Sequence, residues 1–151
     1  MLKGIPKLVS PELLKSLCEM GHGDKVVIAD GNFPAEALGK NNKVLRYDGN
    51  GTLELLTAIL ELMPLDTLVE HPVTLMKISK GDDTQVTIWE KYEQILLQFD
   101  SRGKNAIRML ERAEFYEETE KAYLIIATGE TATYANIILR KGIVAEIDTE
   151  V

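Results

Sequence analysis

The chain has 151 residues, 45% apolar and 27% charged, which suffices for one core without disulfides or a structural metal and excludes a wholly disordered polypeptide. A formal net charge of −7 with scattered basic residues repels phosphate backbones, so no nucleic-acid partner is expected. Lone Cys18 excludes an intrachain disulfide, no zinc-ligand spacing occurs, and neither a signal-peptide pattern nor an apolar run near the roughly 20 residues of a membrane span is found, so the expectation is a cytoplasmic protein with no membrane partner.

In chain order, Ser10-Pro11-Glu12 predicts a helix start: a side-chain cap, a proline suited to the first helical position and an acid at the positive helix end. Leu13, Leu14, Leu17 and Cys18 share one face, which makes Cys18 a buried packing thiol, and Gly21 is a stop signal. The turn Gly21-His22-Gly23-Asp24 follows. Residues 25–30 read as a buried strand around Val26-Val27-Ile28-Ala29, broken by Gly31-Asn32-Phe33-Pro34. A turn-rich stretch surrounds a short strand at 44–46. Residues 52–63 carry Leu53, Leu56, Ile59, Leu60 and Met63 at helical spacing, with Pro64 after them. A strand is predicted over 73–78. A helix is predicted over 84–99, burying Val86, Trp89, Ile95 and Leu96 or their neighbours. Strands at 106–110, 123–127 and 135–139 and a short helix at 114–121 complete the chain. Strands alternating with helices predict a single α/β domain over residues 1–151, its mixed, partly parallel sheet flanked by helices.

Two histidines are present. His71, before Pro72, reads as an exposed loop residue. His22 is held between glycines that permit a tight turn and leave the ring accessible, with Asp24 or Asp30 near enough in sequence to orient it. On spacing alone a catalytic and a structural role for His22 balance evenly. Asp30, at a strand's carboxyl end, suits ligand hydroxyls in an open α/β sheet and equally suits a turn. Arg112, Tyr116, Tyr134 and Asn136 offer donors and acceptors beside aromatic walls, as a polyhydroxylated ligand requires, although both tyrosines also fit a core. Thr128-Gly129-Glu130 lacks a nucleotide-binding pattern, and no serine-hydrolase elbow is present.

Taken in order, Ser10-Pro11-Glu12-Leu13-Leu14, Glu19-Met20-Gly21-His22-Gly23-Asp24 and Asp30-Gly31-Asn32-Phe33-Pro34 resemble the opening of the L-fucose mutarotases. Arg112-Ala113-Glu114-Phe115-Tyr116-Glu117, Lys121-Ala122-Tyr123, Thr128-Gly129-Glu130 and Tyr134-Ala135-Asn136-Ile137-Ile138-Leu139-Arg140-Lys141-Gly142 continue the likeness over nearly the whole chain. The related D-ribose pyranases share the Gly-His-x-Asp turn and the Tyr-Ala-Asn segment but typically lack Phe-Tyr-Glu. The resemblance implies a sugar mutarotase that opens and recloses the ring of L-fucose by acid-base chemistry, without metal or cofactor. His22 matches the proton donor and Tyr116 a catalytic tyrosine. Asp66 matches an acidic catalytic residue when a nearby gap is allowed. Asp30, Met76, Tyr134 and Asn136 match sugar contacts, and Arg112 an arginine at or behind the site. An aromatic often follows that arginine, where this chain has Ala113. The resemblance also implies a compact α/β subunit that forms a homo-oligomer, often a decamer of two stacked pentameric rings, with sites close to subunit boundaries. The alternatives are D-ribose pyranase activity, which uses the same ring opening, and a monosaccharide-binding protein without turnover.

Overall fold

β-branched and leucine runs with no polar alternation need cover on both faces, and the computed structural model supplies it. It describes residues 1–146; the last five of the 151 lie outside the described residues. The strands β1 (Lys25–Ala29), β2 (Lys43–Tyr47), β3 (Val73–Met76), β4 (Ile107–Leu110), β5 (Leu124–Thr128) and β6 (Ile137–Arg140) form one sheet in the order β2-β5-β1-β6-β3-β4. β5 is parallel to β1 and β2, and β3 is parallel to β4. β6 runs antiparallel between β1 and β3, so the sheet is mixed and mostly parallel, as expected.

Alternate side chains feed two cores. Val26, Ile28, Leu124, Ile126, Ile137, Leu139, Val73 and Leu75 meet α1 (Pro11–Glu19), α3 (Thr52–Leu62) and α4 (Ile88–Phe99). Val27, Ala29, Ile125, Ala127, Ile138 and Met76 meet α2 (Ala35–Leu38) and α5 (Arg112–Glu120) through Ala35 and Phe115.

Local chemistry explains the boundaries. Ser10 caps α1, its hydroxyl accepting from Leu13 N at 3.1 Å. Glu54 reaches back to Gly51 N at 2.7 Å and fixes the start of α3. The helix expected from residue 84 begins only at Ile88, because the Asp82 carboxylate takes the Thr84 amide and hydroxyl at 2.9 and 2.6 Å and commits that segment to a turn. Its buried positions are Ile88, Tyr92 and Leu96, with Val86, Trp89 and Ile95 only half-buried. Ala106 belongs to a 3-10 turn at Gly103–Ala106 rather than to the strand after it, and β3 stops at Met76. α2 is too short for a periodic pattern. Cys18 is exposed, contrary to the packing role expected of it; the inner face of α1 is Leu13, Ser16 and Leu17, one step around the helix. The His71 side chain is 38% exposed, with Nδ1 3.0 Å from the Asn105 carbonyl.

Tyr92 is fully buried. Its hydroxyl donates to the Ala135 carbonyl at 2.5 Å and lies 2.6 Å from Thr52 Oγ1. Burial pushes its pKa up, so it stays a neutral donor. Tyr92→Phe leaves that buried carbonyl without its donor and is expected to cost about 1–3 kcal/mol, read as a lower urea midpoint with unchanged slope. An unchanged midpoint would show that the Ala135 carbonyl does not depend on Tyr92.

Candidate functional site

Two groups of polar side chains form at opposite edges of the sheet. At the carboxyl ends of β1, β3 and β4, a cleft of about 210 Å³ is lined by Asp30, Asn32, Phe33, Met76, Ser79, Arg112, Tyr116, Thr133, Tyr134 and Asn136. β6 is antiparallel to its neighbours, so the segment entering it, Tyr134-Ala135-Asn136, arrives at this same edge. All of Asp30, Met76, Arg112, Tyr116, Tyr134 and Asn136 are therefore brought together.

Asp30 and Asn136 are buried. Asn136 Oδ1 accepts from Asp30 N at 2.7 Å, and Asp30 Oδ1 accepts from Asn32 N at 3.0 Å. Burial pushes the Asp30 carboxyl above its usual range against opposing hydrogen bonds from the Asn32, Ala135 and Phe33 amides and the Asn136 side chain. Arg112 Nε donates to Tyr116 Oη at 3.1 Å, which turns the phenolic hydrogen away from the guanidinium. Phe33 meets the Tyr116 ring edge-on at 5.4 Å. Tyr134, at φ 55, has a left-handed backbone that non-glycine residues adopt only when held. Trp89 Nε1 donates to its carbonyl at 2.9 Å. Its hydroxyl donates to Asp82 Oδ2 at 2.5 Å and accepts from Ser79 N at 3.1 Å.

The second group lies before β1. His22 Nε2 is 3.1 Å from Asp66 Oδ1, with the imidazole 39% exposed and the carboxylate 1%. Arg140 Nε donates to Asp66 Oδ2 at 2.8 Å, and Leu68 N to Oδ1 at 3.0 Å. Burial alone would raise the Asp66 pKa, but Arg140, the Leu68 amide and His22 hold it down at about 2. A carboxylate that stays ionised accepts Nε2–H, fixes the tautomer and leaves Nδ1 for other chemistry. Asp24 and Asp30 do not orient the ring: Asp24 Oδ2 closes the turn by accepting from Gly21 N at 2.7 Å, and Asp30 lies at the far end of β1. Gly23 is required by its φ of 86° and because a Cβ there would lie 3.1 Å from Arg140 Nη2; ring access is a by-product.

Sequence reasoning assigns no site role to Arg140, Phe33 or Ser79. The antiparallel register that sets Arg140 opposite Lys25 has no local signature. Among the described residues no three or more His, Cys, Asp or Glu side chains form a metal-binding group, and no helix is long and apolar enough to cross a membrane.

A model of the RbsD / FucU transport protein family matches residues 3–144. The chain is 49% identical over 145 residues to the fucose mutarotase of Mus musculus, covering 93% of this chain and 94% of that one. Its fold matches FucU of Bifidobacterium longum with a TM-score of 0.94 at 57% identity, over 95% of this chain and 100% of that one. It matches the fucose mutarotase of Streptococcus pneumoniae, solved in complex with L-fucose, with a TM-score of 0.89 at 49% identity, again over 95% and 100%.

The depressed Asp66 pKa has a consequence for stability. A carboxyl at about 2 when folded and 3.8 ordinarily binds fewer protons in the folded state, so its contribution is present above about pH 4 and lost as pH falls through 2. The difference corresponds to about 2 kcal/mol. Asp66→Asn is expected to be less stable at pH 7 by about that amount, with the gap closing between about pH 4 and 2 in urea unfolding. A gap of unchanged size at pH 2 would show that the charge of Asp66 is not what its partners hold.

Proposed function

This chain belongs to the RbsD / FucU transport protein family, and from that premise we infer that it is an L-fucose mutarotase, an isomerase interconverting the α and β anomers of the sugar. The observation that carries the reading is the cleft: a buried carboxyl, a buried amide and two phenols above an apolar floor of Met76 and Phe33. Asp30, Asn136 and Tyr134 suit the hydroxyls of a pyranose, and the apolar floor suits its C–H face and methyl group.

Ring opening adds a proton to the ring oxygen and removes one from the anomeric hydroxyl. The C1–O5 bond breaks as C1=O1 forms, and after rotation about C1–C2 closure on the other carbonyl face reverses both transfers. We assign one transfer to His22 and the complementary one to Tyr116, whose hydroxyl Arg112 orients; each such group supplies about 10²- to 10⁴-fold. Asp66 acts through His22, which it touches. L-Fucose needs no cofactor for this chemistry.

Within one chain His22 and the cleft stand at opposite ends of β1, whose five residues span roughly 17 Å at strand rise. The reading therefore includes a homo-oligomer, a decamer of two pentameric rings, in which the His22 turn of one subunit meets the cleft of another. Leu68, two residues from Asp66, is 71% exposed, and Ile143 and Val144 are exposed as well, as a face that packs on a second copy requires. We place the enzyme in the cytoplasm.

Saturation-transfer NMR on L-fucose measures exchange between anomers directly. His22→Gln and Tyr116→Phe are each expected to lower the catalysed exchange by about 10²-fold or more while retaining the fold. Wild-type rates in either variant would remove that residue from the mechanism, and faster exchange with D-ribose alone would identify a pyranase. Coassembling inactive His22→Gln and Asp30→Asn subunits is expected to restore up to about a quarter of wild-type activity, since some shared sites draw both intact halves. No recovery would show that one chain builds the whole site.

A further inference from the structure

The proposed chemistry leaves Arg140 without a role, yet it bonds Asp66, the partner of the His22 ring, and stands beside Gly23 in the His22 turn. We propose that Arg140 is a positioning residue for proton transfer: it clamps Asp66 beside the Gly23 turn, so that His22 is held in one orientation and one tautomer. The inference rests on the reading of His22 as the proton-transfer group.

Arg140 is the last residue of β6 and pairs with Lys25 across from β1. It grips Asp66 twice. Its Nε donates to Asp66 Oδ2 at 2.8 Å, and its main-chain carbonyl accepts from Asp66 N at 3.0 Å. With Oδ2 engaged, Oδ1 faces His22 Nε2 and the Leu68 amide. The same guanidinium stands beside Gly23, where an added Cβ would lie 3.1 Å from Nη2. Gly23 N donates to the Lys141 carbonyl and Lys141 N to the Asp24 carbonyl, both at 2.9 Å, which ties the His22 turn to the end of β6. The Arg140 side chain therefore fixes the carboxylate, and the main chain that follows it fixes the turn that carries the imidazole.

The charge matters as much as the shape. A carboxylate that is 1% exposed with a half-exposed imidazole as its sole counter-ion would either take up a proton or draw one onto the ring. A guanidinium does not titrate in this range, so Arg140 keeps Asp66 ionised whether His22 is imidazole or imidazolium. Nε2–H is then donated to Asp66 in both forms, and Nδ1 alone gains and loses the transferable proton. The other charged groups nearby do not substitute for Arg140. Arg102 Nη2 donates to the Asp66 main-chain carbonyl and is paired with Asp100. Lys25 is paired with Glu118, Lys141 Nζ donates to the Gly142 carbonyl, and Asp24 accepts from Gly21 N.

The test is a titration of the His22 ring by NMR in the wild-type protein and in Arg140→Met and Arg140→Lys. With two histidines in the chain, the His22 signals are assigned by their loss in His22→Gln. In Arg140→Met the full charge of Asp66 falls on the ring, and the His22 midpoint is expected to rise by about one pH unit, a tenfold gain in proton affinity. Anomer exchange of L-fucose should fall about 10- to 100-fold in kcat, with KM within roughly threefold of wild type because the cleft is at the other sheet edge. Arg140→Lys restores the charge without the planar fork, so its midpoint should return toward wild type while kcat stays several-fold low. An unmoved midpoint in Arg140→Met, or a loss confined to KM, overturns the proposal. If Arg140→Met does not fold, wild-type kcat in Arg140→Lys overturns it. The titration needs no substrate, so full activity in His22→Gln would reject the functional reading while a shifted midpoint still established the clamp.

Discussion

The antiparallel placement of β6 is the constraint on which both functional groups depend. Four residues long, it lies between β1 and β3 with Asn136 just before it and Arg140 at its end. Its register pairs Ile28 with Ile137 and Lys25 with Arg140 on one side, and Leu75 with Ile137 on the other. Ile137 and Leu139 point into the core under α3 and α4, and Ile138 into the core under α5. A slip of one residue would exchange these faces and would also take Asn136 away from Asp30 and Arg140 away from Asp66. Hydrophobic burial thus sets the register, and the register sets the chemistry at each end of the strand.

The two buried carboxyls show what that placement does. Asp30 and Asp66 are both under one-tenth exposed, and in both the burial opposes ionisation. Asp66 meets a guanidinium and an imidazole and is held at about 2. Asp30 meets only neutral amides, and its pKa is raised. The same side chain is therefore a fixed anion at one edge of the sheet and, at the other, a hydrogen-bonded carboxyl whose pKa burial raises. That division suits a ring orienter in the first place and a hydroxyl-binding group in the second.

Most of this fold was legible in the sequence. The strand runs around Val27, Ile125 and Ile138 lack alternation because both faces are covered, and the cap at Ser10 and the spacing of Leu56, Ile59 and Leu60 mark α1 and α3. The cleft residues were legible because they follow strand ends or precede β6. What escaped was non-local. The partner of His22 is Asp66, 44 positions away in sequence, while nearby Asp24 is spent on the turn. Cys18 stands one helical step outside the inner face of α1, which Ser16 completes. The separation of His22 from the cleft follows from the direction of β1, which a list of motifs in order does not convey.

The cleft also depends on helices whose first purpose is the core. Tyr134 holds a left-handed backbone that costs on the order of 1–3 kcal/mol for a residue with a side chain. α4 offsets that cost at consecutive carbonyls: Trp89 Nε1 donates to Tyr134 O and Tyr92 Oη to Ala135 O. Thr52, at the start of α3, stands beside the Tyr92 hydroxyl, and its amide donates to Glu130 Oε2 at 3.1 Å, on the loop that leads into the segment. The backbone between Glu130 and Asn136 is therefore fixed by groups buried for packing, before any ligand arrives. Asn136 can then turn Oδ1 to the Asp30 amide and keep its amide nitrogen on the carboxyl side, a geometry set in advance of any ligand.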